Sequence, residues 1–373
     1  MLDPNRTAPT FGGDGLTIHY NLQYHATYGE GVYLKNQYYP YAESVFMTDA
    51  HSLVAVVLAA LRPVFPDIGR HAVGIANVLI YWSSPVAVLF LFLCLRRLNV
   101  RWPLALSFGL LVGMMSPQIL RQMGQYTLGF TFMLPATLWY LLSYSDRSWY
   151  WLKGLGVALM IYLLGLNNPY LFAIAVSFIL AAWGIGTLLR LFGKDYFSWR
   201  VLGHWLGVSL LTTISLFITL QYFDTVEDRV EVPFGFFHNT AVWGGLLSSK
   251  EVFSYETVRS LFGGLAEPRR ENRLYLGLIP ILFGLLLPFL ALIPTWRRAT
   301  GMDKVPTLLL ALGAGGLGLV FAFGLPFSRF EYWTYEHLGS ILQFRAPVRF
   351  GWPLYYVLGI GAGYALSQWY ENT

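Results

Sequence analysis

The sequence predicts an all-α membrane protein, a polytopic transmembrane helical bundle of about nine spans whose outer-face first loop contains amphipathic helices. Three observations carry this prediction. Hydrophobic residues make up 55% of the 373 and charged residues only 12%, against about 25% charged in soluble domains. The apolar residues recur in runs of roughly 20, the length that crosses a hydrocarbon core about 30 Å thick. Between these runs the basic residues gather in alternate, short connectors.

Read between charged punctuation, the runs place helices at 72–95, 103–120, 128–144, 150–166, 170–190, 201–222, 273–293, 305–324 and 349–369. Pro85, Pro135, Pro280 and Pro288 fall inside them, which spanning helices tolerate when neighbours re-satisfy the freed carbonyls. Arg96, Arg97 and Arg101 follow the first run, and Arg147 and Lys153 the third. Arg190, Lys194 and Arg200 follow the fifth, and Arg297, Arg298 and Lys304 the seventh. Basic residues mark cytoplasmic loops, so 1–71, 121–127, 167–169, 223–272 and 325–348 are expected outside.

Two regions follow. Residues 1–71 form an extracytoplasmic first loop, and 72–373 a transmembrane domain with outer loops at 223–272 and 325–348. The stretch "HSLVAVVLAALRPVF" at 51–65 is too short to span. With Leu53, Val54, Val57, Leu58 and Leu61 along one flank, it is expected to lie in the interface. An outside segment of this length ordinarily follows a signal peptide or a spanning helix, so an upstream helix is expected before residue 1. The outer side is therefore expected to carry nearly all the long loops.

The net charge of +5 follows from basic inner loops and does not indicate a nucleic-acid partner. Cys94 is the single cysteine, which excludes a disulfide framework and a thiol metal site. No CxxC, HExxH, P-loop or strand-borne GxGxxG spacing occurs.

The polar residues set in aromatic or glycine-rich outer loops are the candidates for chemistry. Asp14 sits in "GGDG", where the backbone can turn, and is read as a carboxylate that accepts a proton from a substrate hydroxyl, or else as a turn residue. Tyr20, Tyr24 and Tyr28 lie four apart, one helical stripe suited to an aromatic belt, near His19. Glu43, Asp49 and His51 occupy "NQYYPYAESVFMTDAH" and are read as solvated loop groups or as ligands of a divalent cation, Mg or Mn. Asn168 in "GLNNPYLF" marks a tight reversal whose carboxamides can face a polar ligand. Arg269, Arg270 and Arg273 form a basic run suited to an anionic headgroup or diphosphate. Arg345 and Arg349 precede the last span; an arginine at the membrane boundary needs a partner, either a diphosphate or a carboxylate such as Glu331 or Glu336.

Taken together, "GGDGLTIHY", "YPYAESVFMTD", "NNPYLF", "ENRLYLG" and "FRAPVRFGW" resemble the GT-C superfamily of integral membrane glycosyltransferases, more narrowly its bacterial YfhO-like branch. The resemblance implies a transferase that moves a sugar from a polyprenyl-phosphate donor to a glycan, lipid or protein acceptor of the cell envelope. It implies that Asp14 is the general base, that Arg345 and Arg349 contact the donor phosphate, and that a helix precedes Asp14. His19, Glu43, Asp49, Asn168 and Arg270 are the further substrate-binding candidates. Two rival classes stay open: a transporter or flippase for a lipid-linked glycan, and a non-catalytic envelope-assembly protein. A carrier would show inverted repeats and interrupted helices; no internal repeat is evident, and no acidic residue is placed inside a span, which weighs against a proton-coupled carrier.

Overall fold

The computed structural model of the chain describes residues 3–7, 14–37, 42–143, 150–227, 229–230, 233–247, 260, 271, 274–295, 300–301 and 305–372. Arg269, Arg270 and Arg273 lie outside the described residues, as does Arg147. Helix dominates, and the strands among the described residues are one two-residue antiparallel pair, Tyr33–Leu34 with Glu43–Ser44.

The bundle begins with α3, Ala72–Arg97. Its last turn carries Arg96 and Arg97, which complement the negative end of the helix dipole. Asn99 then turns the chain with a φ of 62°, and α4, Trp102–Met114, returns along α3 with Pro103 in its first turn. After two 3₁₀ turns come α5, Met133–Leu142, and α6, Tyr150–Asn167. α6 and α7, Pro169–Leu191, meet at Asn168. The Asn168 side chain accepts the Tyr170 N–H at 2.9 Å, and Pro169 fills the first helical position, where its missing N–H costs nothing. α8, Trp199–Phe223, is capped by Ser198.

Further helices among the described residues are α9, Leu278–Leu292, α10, Pro306–Ala322, the short α11, Glu331–His337, and α12, Trp352–Asn372, with one-turn helices at Trp243–Leu247 and Gly339–Leu342. All nine predicted runs are thus at least partly helical. Among the described residues, five helical stretches are long and apolar enough to cross a membrane: Ile68–Arg97, Tyr150–Asn167, Pro169–Leu191, Trp199–Phe223 and Pro306–Arg329. The expected spans at 103–120 and 128–144 are interrupted. Pro117 follows the end of α4, and Gly124, at φ 136°, turns the backbone. Residues 115–132 consequently form a folded connector, longer at both ends than the outer loop expected at 121–127.

α12 is the centre of the bundle. Every residue from Trp352 to Ala365 is buried, packed by α10, α9 and α4. Small residues make that enclosure possible. A Cβ added at Gly359 would meet Val112 at 2.6 Å, and one at Gly361 would meet Phe283 at 2.5 Å. On α10, a Cβ at Gly318 would lie 2.5 Å from the Phe350 carbonyl oxygen, whereas one at Gly316 meets nothing within 4 Å. Gly318→Ala is therefore expected to lower the unfolding temperature in detergent, at a cost of about 1–3 kcal/mol for overpacking. Gly316→Ala in the same helix should be neutral or slightly stabilising. Equal effects at both positions would reject the close approach.

The first loop is packed on the bundle and shares its core. α1, Asp14–Tyr28, lies against α2, Ser52–Leu61, and Leu22, Ala26, Val45, Phe46, Ala55 and Leu58 cluster with Leu166 of α6 and Leu216 of α8. The expected tyrosine stripe is present, with Tyr20, Tyr24 and Tyr28 ring centroids 6.0 and 5.3 Å apart. α2 packs on the bundle through its small residues and leaves part of its apolar flank uncovered. Ser52, Ala55, Leu58 and Ala59 turn inward while Val57 and Leu61 are exposed, because the small residues permit the close packing. Further upstream, the Asn5 side chain accepts the Gly74 N–H at 3.1 Å, and Asn77 donates to the Pro4 and Thr7 carbonyls.

Candidate active site

Five segments close around one polar cleft of about 430 Å³. They are the start of α1 with Asp14, the loop Phe46–Asp49, the connector Gln125–Leu128, the α6–α7 reversal at Asn167–Tyr170, and Gln343–Arg349 ahead of α12. Each belongs to a connector that the alternation of basic loops assigned to the same side. Asp14, Asp49, Asn168, Arg345 and Arg349, far apart in sequence, thereby line one space.

Asp14 is the first residue of α1 and is exposed in the cleft, where the positive end of the helix dipole favours a carboxylate. Asp49 also reaches the cleft and is exposed to solvent there, yet protein crowds round its carboxyl on the remaining sides. That burial, followed by the charge of Asp14, raises its pKa, and Arg349 and Arg345 act in the opposite direction. The two carboxylates therefore sense each other, with two guanidiniums nearby.

Arg349 is buried, and its charge is already met. Its Nη2 donates to Glu271 Oε2 at 3.0 Å and to Gln125 Oε1 at 3.3 Å, and the guanidinium lies 4.8 Å over the Tyr170 ring. Glu271 also accepts from Arg121 Nη1, at 3.0 Å through Oε1. Burial opposes the charge on Glu271, but the Arg121 and Arg349 guanidiniums outweigh it and hold its pKa low. The carboxylate that pairs with Arg349 is thus Glu271, and not Glu331 or Glu336.

Arg345 is held differently. Its backbone carbonyl accepts Asn239 Nδ2 at 2.8 Å, its N–H donates to the Gln343 carbonyl at 3.0 Å, and the next N–H, of Ala346, donates to the Tyr170 hydroxyl. Its guanidinium is exposed and makes no ion pair among the described residues. An anchored backbone and a guanidinium without an ion pair among the described residues leave Arg345 able to meet an anion in the cleft.

Residues 7–373 match a family described as a domain of unknown function, DUF6311. The chain belongs to the DUF6311 family. All five cleft-forming segments fall within the matched range. No curated protein and no solved structure matches the DUF6311 chain.

Other expectations are corrected by the DUF6311 fold. Glu43 is buried and pairs with Arg229 at 2.9 Å, and Arg229 also grips Asp224 at 2.8 Å. Glu43 ties the first loop to the end of α8 and does not line the cleft. His19 is buried against Tyr126 at 4.4 Å, outside the cleft, and neither ring nitrogen has a hydrogen-bond partner; burial lowers its pKa. Glu43, Asp49 and His51 are consequently apart, and among the described residues no group of three or more His, Cys, Asp or Glu side chains is arranged to hold a metal. Asn168 lines the cleft but spends both ends of its carboxamide on structure, since its Nδ2 donates to Thr127 Oγ1 at 2.9 Å.

His51 occupies a costly position. It is fully buried, stacks on Tyr126 at 5.8 Å and has a φ of 48°, and neither ring nitrogen has a hydrogen-bond partner. Burial, aided by His19, lowers its pKa to about 3. The unfolded chain, with an imidazole pKa of roughly 6.5, therefore binds the proton more readily between pH 3 and 6.5. Stability should fall by about 1.4 kcal/mol per pH unit as pH drops through that window, and show no His51 contribution above it. A His51→Phe variant should lose this acid limb in a pH series of thermal unfolding; an unchanged limb would reject the assignment.

Gln125, Glu271, Arg121 and Tyr170 are site residues that sequence reading passed over. Glu271 lay inside a stretch read for its arginines, and Tyr170 directly follows the Asn-Asn-Pro reversal.

Proposed function

We propose that this protein is a membrane glycosyltransferase of GT-C type, which transfers a sugar from a polyprenyl-phosphate-linked donor to a hydroxyl-bearing acceptor. The observation that carries the reading is the lining of the cleft, where two carboxylates stand with one uncommitted guanidinium, Arg345. The neighbouring space supports it. An apolar groove of about 450 Å³ runs between α7 and α10, and Phe344 lines both it and the cleft. An anionic head and a hydrocarbon chain thus have adjoining sites.

In the proposed reaction the acceptor hydroxyl gives its proton to the Asp14–Asp49 pair. The acceptor oxygen bonds to the anomeric carbon as the bond from that carbon to the phosphate oxygen breaks. The lipid phosphate departs with the electron pair, and its new charge develops against Arg345. The raised pKa of Asp49 makes it a stronger base than a solvated carboxylate. On this reading the cleft faces outward across the bacterial inner membrane, where lipid-linked donors are presented.

The test uses the purified chain in nanodiscs with a polyprenyl-phosphate hexose and a short alkyl glycoside. Release of polyprenyl phosphate with formation of a disaccharide is expected. Movement of intact donor between leaflets of proteoliposomes, without transfer, would replace this reading with a flippase.

A further inference from the structure

The two cleft arginines are not equivalent, and Glu271 makes them so. Arg349 and Arg121 share one carboxylate, at 3.0 Å each, while Arg345 has none among the described residues. Among the described residues, three guanidiniums, Arg121, Arg345 and Arg349, therefore stand with three carboxylates, Glu271, Asp14 and Asp49. Such a balance accepts a singly charged anion readily. A phosphomonoester or diphosphate brings a second or third negative charge toward Asp14 and Asp49, and little positive charge remains to meet it.

We infer that Glu271 is a specificity-determining residue. By committing Arg349 it limits the cleft to ligands with one phosphodiester charge and excludes lipid phosphomonoesters and diphosphates. In the proposed transfer this selects the donor, a lipid phosphodiester, over the spent lipid phosphate that leaves. The inference rests on the anion-binding reading given above.

Full-length protein in detergent at fixed ionic strength is titrated with C10 prenyl methyl phosphate, which has one charge, and with C10 prenyl diphosphate. Wild type should prefer the phosphodiester. Glu271→Gln frees Arg349 and should tighten diphosphate binding by about tenfold, the step that 1.4 kcal/mol gives, with a smaller change for the phosphodiester. A carboxylate needed only for folding would weaken both ligands when removed. Adding Arg349→Gln to Glu271→Gln removes the freed cation and should return the wild-type preference, and Glu271→Asp, which keeps the charge beside Arg349, should leave that preference in place and keeps the inference open to test if the neutral variant folds poorly.

An unchanged ratio in Glu271→Gln, with binding still dependent on Arg345, would overturn the role of Glu271 alone. Failure of either ligand to bind wild type, or indifference of binding to Arg345→Ala, would overturn the anion-binding reading beneath it. Dimethyl phosphate carries the same single charge without a chain. If it bound as tightly as the C10 ester, the site would belong to a soluble phosphodiester and the lipid assignment would fall.

Discussion

Asp14→Asn combined with Asp49→Asn is expected to lower sugar transfer by at least about 10²–10⁴-fold, the usual contribution of a positioned acid–base group. Both variants should express and fold, because Asp14 is exposed at a helix start and Asp49 carries a desolvation cost that asparagine relieves. The singles separate the two roles through pH. In wild type the acidic limb of the rate profile should sit above the ordinary aspartate pKa of about 3.9, since burial and Asp14 both raise Asp49. Removing the Asp14 charge should move whatever limb remains to lower pH. Removing Asp49 should take away the raised limb. A double variant that transfers sugar at the wild-type rate would end the acid–base assignment.

Arg345→Ala is expected to raise KM for a lipid-phosphate donor by about tenfold or more, as loss of a charge-assisted contact costs roughly 1.5–3 kcal/mol. The fold should be indifferent to this change. What holds the segment is backbone, through Asn239, Tyr170 and the Gln343 carbonyl, and the side chain contributes no ion pair among the described residues. Arg345→Lys should recover part of the affinity, because lysine restores the charge without the planar fork. Arg349→Ala makes a useful contrast. It leaves Glu271 with Arg121 alone and empties the space over Tyr170, so it should lower the unfolding temperature as well as activity. Were Arg345→Ala to destabilise the protein as much as Arg349→Ala, the division between receptor and scaffold would be wrong.

Much of the bundle was legible because apolar length and the placement of basic residues act locally. The Asn168–Pro169 reversal is a case where two residues dictate both the turn and the start of α7. Asp14, Asp49, Arg345 and Arg349 stood out for a related reason, as charges in surroundings that discourage them, and they do line one cleft. What escaped was pairing. Nothing near Glu43 in sequence announces Arg229, and nothing near Arg349 announces Glu271. Such partners are fixed by how the connectors fold over one end of the bundle. The shortening of the spans expected at 103–120 and 128–144 was hidden likewise, since a hydropathy count does not register that α4 stops short of Pro117 or that 3₁₀ turns precede α5. His51 reads as a solvated loop group or a cation ligand because histidine in a polar loop usually reaches solvent, and only the packing of Tyr126 shows that it does not.

The burial of α12 has a consequence for how the protein is made. Trp352–Ala365 contacts α4, α9 and α10, all of which leave the ribosome first. Until that helix arrives, the glycine-lined channel it fills has no occupant and the wall that carries Arg345 has no anchor on its downstream side. Insertion of the earlier helices can proceed one by one, but closure of the core and completion of the cleft are a single, late event. A lesion in α12 should therefore surface as failed assembly, cleared by quality control, before it is ever seen as a defect in chemistry.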